Sequence, residues 1–182
     1  MPRVRLQDHI RSIPDFPEKG ILFRDITPLL ADPAAFGETI HRLTERYRDR
    51  GIEMVLGIES RGFLFGTPLA LALGAGFVPI RKAGKLPGPT LRRSYALEYG
   101  EATVEIHADA LRPGQKVLVL DDLLATGGTA AAAAELAEEA GGQVEEIAFI
   151  VELADLDGRK KLRWPIHPLL IYGEGGTIQE PQ

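Results

Sequence analysis

Thirteen residues two-thirds of the way along the chain, Val117 to Thr129 (VLVLDDLLATGGT), leave few architectures open. Val117 to Leu120 is continuously apolar, and a strand with that pattern is covered on both faces, as in a parallel sheet between helices. Asp121 and Asp122 follow, then the small residues Ala125-Thr126-Gly127-Gly128-Thr129, then five alanines, Ala130 to Ala134, in a strongly helix-forming run that Gly141-Gly142 stops. A buried strand that turns through glycine into a helix is half of a βαβ unit. The rest of the chain keeps the rhythm. Strands are expected at Met54–Ile58, Phe77–Ile80, Ile147–Leu153 and Leu169–Tyr172, with an apolar helix reaching Leu73 and another over Thr129–Ala140. Leu91–Leu97 and Ala102–Ile106 read as a hairpin around Tyr99-Gly100. Upstream, Val4–Ile13 reads as a short amphipathic helix and residues 14–28 as ordered loop. Asp32 then caps a helix that begins at Pro33 and carries Phe36, Ile40, Leu43 and Tyr47 on one side. The expected class is α/β, with a mainly parallel central sheet flanked by helices.

At about 150 residues per domain, 182 residues make one domain, 1–182. A hydrophobic share of 45% is ordinary for a globular chain. The absence of cysteine excludes disulfides, thiolate metal sites and cysteine nucleophiles. The first residues lack the apolar run of a signal peptide, and no stretch approaches the length of a membrane span, so a soluble, cytoplasmic protein is expected. A net charge of −5 argues against general nucleic-acid binding. Yet Arg81, Lys82, Lys85, Arg92 and Arg93 lie within 13 residues that hold no acid. That island is either a site for a small polyanion or a solvated loop.

The glycine turn has its own chemistry. Ligands of open parallel sheets gather beyond the carboxyl ends of the strands. There, bare amides at a helix start, with the helix dipole behind them, cradle a phosphate, and Thr126 and Thr129 add hydroxyl donors. Two carboxylates just before the cradle suit the paired hydroxyls of a ribose. The lysine of a nucleotide-triphosphate loop is missing, which excludes ATP hydrolysis by that device. The plainer reading is a pair of acids capping a helix beside a turn.

This string resembles the phosphoribosyl-pyrophosphate signature of the type I phosphoribosyltransferase family. Three further blocks resemble the branch of that family that acts on adenine: Phe16–Leu30 (FPEKGILFRDITPLL) its N-terminal base-binding segment, Gly57–Gly66 (GIESRGFLFG) its pyrophosphate loop, and Val78–Gly88 with Ser94–Gly100 its basic strand end and mobile flap. The resemblance implies an N-terminal hood over 1–33 and a flap over 84–107. It implies that Asp121, Asp122, Ala125, Thr126, Gly127, Gly128 and Thr129 bind the ribose and 5′-phosphate. Glu59, Ser60, Arg61, Arg81, Lys82 and Lys85 are expected at the pyrophosphate, and Leu22, Phe23 and Arg24 at the adenine. Arg61, Asp121, Asp122 and the flap's Glu98, beside Tyr99, are expected to take part in catalysis, with Glu98 handling the proton at the imidazole ring of the base. Magnesium should arrive on the substrate's own oxygens, with no dedicated protein ligand. Products would be AMP and pyrophosphate, from a homodimer. Without the resemblance, Phe23 reads equally as core, Arg24 as a surface charge, and Glu98 and Tyr99 as ends of a hairpin. The competing functions are transfer to xanthine, hypoxanthine or guanine, and a non-catalytic sensor of phosphoribosyl pyrophosphate. The Glu59–Ser60 peptide is expected to be cis. His9, His41, His107 and His167 share no metal-ligand spacing. The polar tail after Tyr172 has no assigned role.

Overall fold

In the computed structural model, which describes residues 4–97, 100–173, 176 and 178–181, the chain gathers into two units, 1–45 and 46–182. The first is small. A single 3-10 turn, Leu6–His9, leads into β1 (Arg11–Pro14), which pairs antiparallel with β2 (Leu22–Asp25). The helix expected over Val4–Ile13 and the loop expected over 14–28 are therefore both corrected. Arg11 stands opposite Asp25 and donates to its carboxylate at 3.0 and 2.8 Å, and this long-range pair overrides a weak helical preference. Asp25 also accepts from the amide and hydroxyl of Thr27, which opens α1 (Thr27–Ala31). Asp32 caps α2 (Pro33–Tyr47) as expected, accepting from the amides of Ala34 and Ala35. The last two residues of α2 pass into the second unit.

The second unit is built on an eight-stranded sheet. Its strands are β3 (Met54–Ile58), β4 (Gly76–Lys82), β5 (Thr90–Ala96), β6 (Glu101–His107), β7 (Lys116–Leu124), β8 (Gln143–Leu153), β9 (Ile166–Tyr172) and β10 (Ile178–Gln179). Their spatial order is β10-β9-β8-β7-β3-β4-β6-β5. The neighbours from β9 through β4 run parallel, and the antiparallel pairs sit at the two ends. Helix α3 (Arg61–Leu73) carries the chain from β3 to β4, and α4 (Gly128–Glu139) carries it from β7 to β8. These two crossovers leave adjacent strands in opposite directions. The β3–β7 boundary is thus the topological switch point, where ligands of open α/β sheets settle.

The continuous hydrophobicity of β7 proves out: Val117 to Leu120 have no exposed surface. The first turns of helix α3 can lie close to the sheet because Gly62 and Gly66 stand on its buried face. A Cβ on Gly62 would stand 2.7 Å from the Leu120 carbonyl oxygen, and one on Gly57 or Gly66 would meet the Phe77 ring at 2.7 Å. Among the described residues no helix is long and apolar enough to cross a membrane.

Candidate active site at the switch point

Strand lengths open the crevice. Strand β7 pairs with β3 only as far as Leu120 but with β8 as far as Leu124. Residues Asp121 to Leu124 therefore project beyond β3, inside a strand that is longer than its apolar run indicated. Across the gap, β3 ends at Ile58, the Glu59–Ser60 peptide is cis, and α3 starts at Arg61. The Arg61 Nε donates to Asp122 Oδ2 at 2.5 Å, which ties the two strand ends together. Asp121 Oδ1 accepts the Asp122 amide at 2.9 Å. Burial, and then the neighbouring Asp122 carboxylate, raises the Asp121 carboxyl well above the ordinary carboxylate range. These groups line a depression of about 370 Å³ together with Glu59, Ser60, Lys82, Tyr95 and Thr129.

Beside it lies a tighter hollow of about 70 Å³ bounded by Asp121 and residues 123–130. This is the glycine turn. Gly127 has φ +81°, a conformation that L side chains rarely adopt, and Gly128 begins α4. Two residues outside the string pack against the turn. Gly158 lies against its back: a Cβ on Gly127 would stand 2.4 Å from the Gly158 carbonyl oxygen, and one on Gly158 would stand 2.2 Å from that of Ala125. Gly158 is followed by Arg159, whose guanidinium grips the buried Glu152 at 2.5 and 2.6 Å. At the front, the Tyr95 hydroxyl accepts from Thr129 Oγ1 at 3.0 Å, and its ring covers Gly128. Neither Gly158 nor Tyr95 was predicted from the sequence. The alternating pattern of β5 marks Tyr95 only as half-buried, and nothing local to Gly158 announces a contact 30 residues upstream.

The basic island is partly in the depression. Lys82 lines it, whereas Arg81 turns to Glu59, with Nε and Nη2 each 3.2 Å from its carboxylate, and to the carbonyl oxygen of Lys85. Glu59 also accepts the Lys82 amide at 3.0 Å. The hydrogen bonds from Arg81, foremost, hold the Glu59 carboxyl below its usual range. The Glu59 carboxylate thus orients cations. Arg93 points elsewhere, to Glu135 and Glu139 of α4.

Leu22, Phe23 and Arg24 lie on β2, in the first unit. Phe23 is half-buried and packs edge-to-face on Phe16 at 5.2 Å, Leu22 is exposed, and Arg24 donates to Ser12 Oγ. Glu98 and Tyr99 lie outside the described residues. No group of three or more histidine and carboxylate side chains with metal-site geometry occurs among the described residues.

The β3–β7 crevice thus brings together paired aspartates, a glycine turn at a helix start, and the cations Arg61 and Lys82. The phosphoribosyl transferase domain model matches residues 26–166, and the chain belongs to that family. Within the family, its relatives are adenine phosphoribosyltransferases. The adenine phosphoribosyltransferase of Chloroflexus aurantiacus is 59% identical over 163 residues, 90% of this chain and 94% of that protein. The crystal structure of the adenine phosphoribosyltransferase from Thermoanaerobacter pseudethanolicus superposes with a TM-score of 0.89 at 52% identity, covering 92% of this chain and 98% of that one. That of Saccharomyces cerevisiae, complexed with an imino-altritol bisphosphate and adenine, gives 0.85 at 45% identity, over 88% and 94%.

Proposed function

We propose that the chain transfers the 5-phosphoribosyl group from phosphoribosyl pyrophosphate to adenine, giving AMP and pyrophosphate. The observation that carries this is the junction of Asp121-Asp122 with the Gly127-Gly128 turn at the β3–β7 crevice, facing Arg61 and Lys82. Both the name of the relatives and the adenine in the yeast complex support the choice of base.

In this reading the 5′-phosphate lies on the amides of residues 125–129, with the hydroxyls of Thr126 and Thr129 around it. Asp121 and Asp122 hold the ribose hydroxyls. The bond from C1 to the diphosphate oxygen breaks with its electron pair going to pyrophosphate, the adenine N9–C1 bond forms, and the proton that the imidazole ring loses passes to Glu98. Positive charge grows on the sugar beside the two acids, and negative charge on the leaving group beside Arg61, Lys82, Lys85 and Arg81. Ser60 and Glu59 contribute through the backbone of their turn, and Glu59 also through Arg81. Leu22, Phe23 and Arg24 recognise the base, by stacking on Phe23 and by backbone hydrogen bonds to its edge. Glu98, with Tyr99 beside it, manages the proton at the imidazole ring.

Magnesium enters with the substrate. Its ligands would be the diphosphate and ribose oxygens of the substrate together with water, with no dedicated protein ligand. When bound, it neutralises the diphosphate. The enzyme is read as a cytoplasmic homodimer. Replacing Glu98 by Gln tests the proton step. A loss of about 10²- to 10⁴-fold in turnover with folding intact is expected for a group positioned for that proton transfer, and a change under tenfold would remove that role.

A further inference from the structure

Beneath the basic island lies a carboxylate that the reaction as described does not use. Glu105, on β6, is fully buried, opposite Arg81 in the β4–β6 register. Its Oε1 accepts the backbone amides of Lys85 at 3.0 Å and Leu86 at 2.8 Å. Its Oε2 has no hydrogen-bond partner but stands 3.1 Å from the Arg92 guanidinium on β5. A buried charge is costly unless it is paired and hydrogen-bonded, and here the partners that offset the cost are the backbone amides of one turn and a single guanidinium. Burial by itself would raise the carboxyl. The amides of Leu86, Gly84 and Lys85 and the charge of Arg92 outweigh it and hold the group below its ordinary value, so it is an anion at neutral pH.

The turn it grips is the one that matters for a diphosphate. Residues 83–89 contain Gly84 at φ +83° and Gly88 at φ +77°, with two prolines, and form no regular structure of their own. Lys85 is exposed on this turn, and its carbonyl oxygen accepts from Arg81. From the other side, Glu59 accepts the Lys82 amide and holds Arg81. The cationic segment is thus clamped between two carboxylates, each bonded to its backbone amides. Without the lower clamp, the three like charges of Arg81, Lys82 and Lys85, carried on and beside a glycine-rich turn, would repel one another and spread.

We propose that Glu105 is a positioning residue for pyrophosphate: it preorganises the Lys82–Leu86 turn so that its cations converge on the diphosphate before substrate arrives. This rests on the assignment of Lys82 and Lys85 to pyrophosphate. Glu105 acts through the turn and touches no substrate.

The experiment compares Glu105→Ala, Glu105→Gln, Lys85→Ala and Lys82→Ala with wild type. It measures pyrophosphate binding and AMP binding separately by calorimetry, with thermal stability alongside. AMP lacks the diphosphate, so a merely structural defect would weaken both ligands together. Glu105→Ala is expected to weaken pyrophosphate and raise KM for phosphoribosyl pyrophosphate about ten- to a hundredfold, with AMP affinity within about twofold. Glu105→Gln keeps an oxygen that accepts both amides and should recover most of the loss. Equal weakening of AMP and pyrophosphate, or unchanged pyrophosphate binding in Glu105→Ala while Lys85→Ala weakens it, overturns the proposal and leaves the site assignment standing. Wild-type pyrophosphate binding in Lys85→Ala and in Lys82→Ala overturns the site assignment itself. If Glu105→Ala fails to fold, Glu105→Met, which fills a similar volume without an acceptor for the two amides, takes its place with the same expected loss for pyrophosphate and the same overturning result.

Discussion

Gly127 shows how much can hang on one missing side chain. Its positive φ excludes most residues on backbone grounds, and the Gly158 carbonyl oxygen excludes them again on steric grounds. Gly114 supplies the control, since it has φ +79° but nothing within 4 Å of an added Cβ. Gly114→Ala is expected to cost about 1 kcal/mol, the backbone penalty alone. Gly127→Ala should cost about 2–4 kcal/mol by denaturant unfolding, because the contact adds to that penalty, and should raise KM for phosphoribosyl pyrophosphate well above wild type. Equal costs at the two positions would mean that the Gly158 contact is slack. The cradle residues were legible because small residues between a buried strand and a helix have few other uses. Gly158 and Tyr95 were not, since each meets the cradle from a distant segment, through contacts that no local period encodes. Nor does the sequence tell that Glu59 and Glu105 grip the amides of the basic island, although the island itself stood out by charge alone.

At the scale of elements, the fit of α3 to the sheet is the point of least tolerance. With the Leu120 carbonyl oxygen 2.7 Å from a Cβ on Gly62, Gly62→Ala must push the helix away from β7. A loss of about 1–3 kcal/mol is expected. Because Arg61 is the next residue and reaches Asp122, turnover should fall as well; an unchanged rate would separate helix seating from the site. The end of α2 offers a test by pH. Glu146 on β8 accepts from Tyr47 at 2.6 Å and from Arg46 at 2.8 Å, and these partners outweigh its burial and keep its carboxyl below the usual range. His167 on β9 is lowered to about 4, by burial first and then by the charge of Arg46. Between about pH 6.5 and 4 the unfolded chain takes up a proton that native His167 refuses, so stability falls as pH falls through that window. Below the ordinary glutamate range the Glu146 contribution is lost in turn. Stability measured from pH 7 to 4 should therefore decline more gently in His167→Gln than in wild type, and parallel curves would contradict the His167 assignment. Most elements were readable because period and punctuation agreed, as at Met54–Ile58 and in the helix ending at Leu73. Those that were not depend on partners: the β1–β2 pair on Arg11 and Asp25, and the extension of β7 on its ladder to β8.

For the molecule as a whole, the direction of the crossovers decides where the chemistry lies. The alternation of strand and helix patterns implied a parallel sheet, and a parallel sheet with a reversal must have a crevice at its switch point. Strand order is set by long-range pairing, so the position of that crevice between β3 and β7 became visible only in the structure. Its lining then agreed with the motifs on both sides, Glu59-Ser60-Arg61 from one strand and Asp121 to Thr129 from the other. The division into units at residue 45 has no punctuation in the sequence, since it falls inside α2. Transfer to adenine is tested by pyrophosphate release from phosphoribosyl pyrophosphate with each purine in turn. Adenine should be used at least about a hundredfold more efficiently in kcat/KM than hypoxanthine, guanine or xanthine, because a pocket that hydrogen-bonds one base edge leaves polar groups unpaired around another. Comparable use of a 6-oxo purine, or no release with any base, would contradict the account.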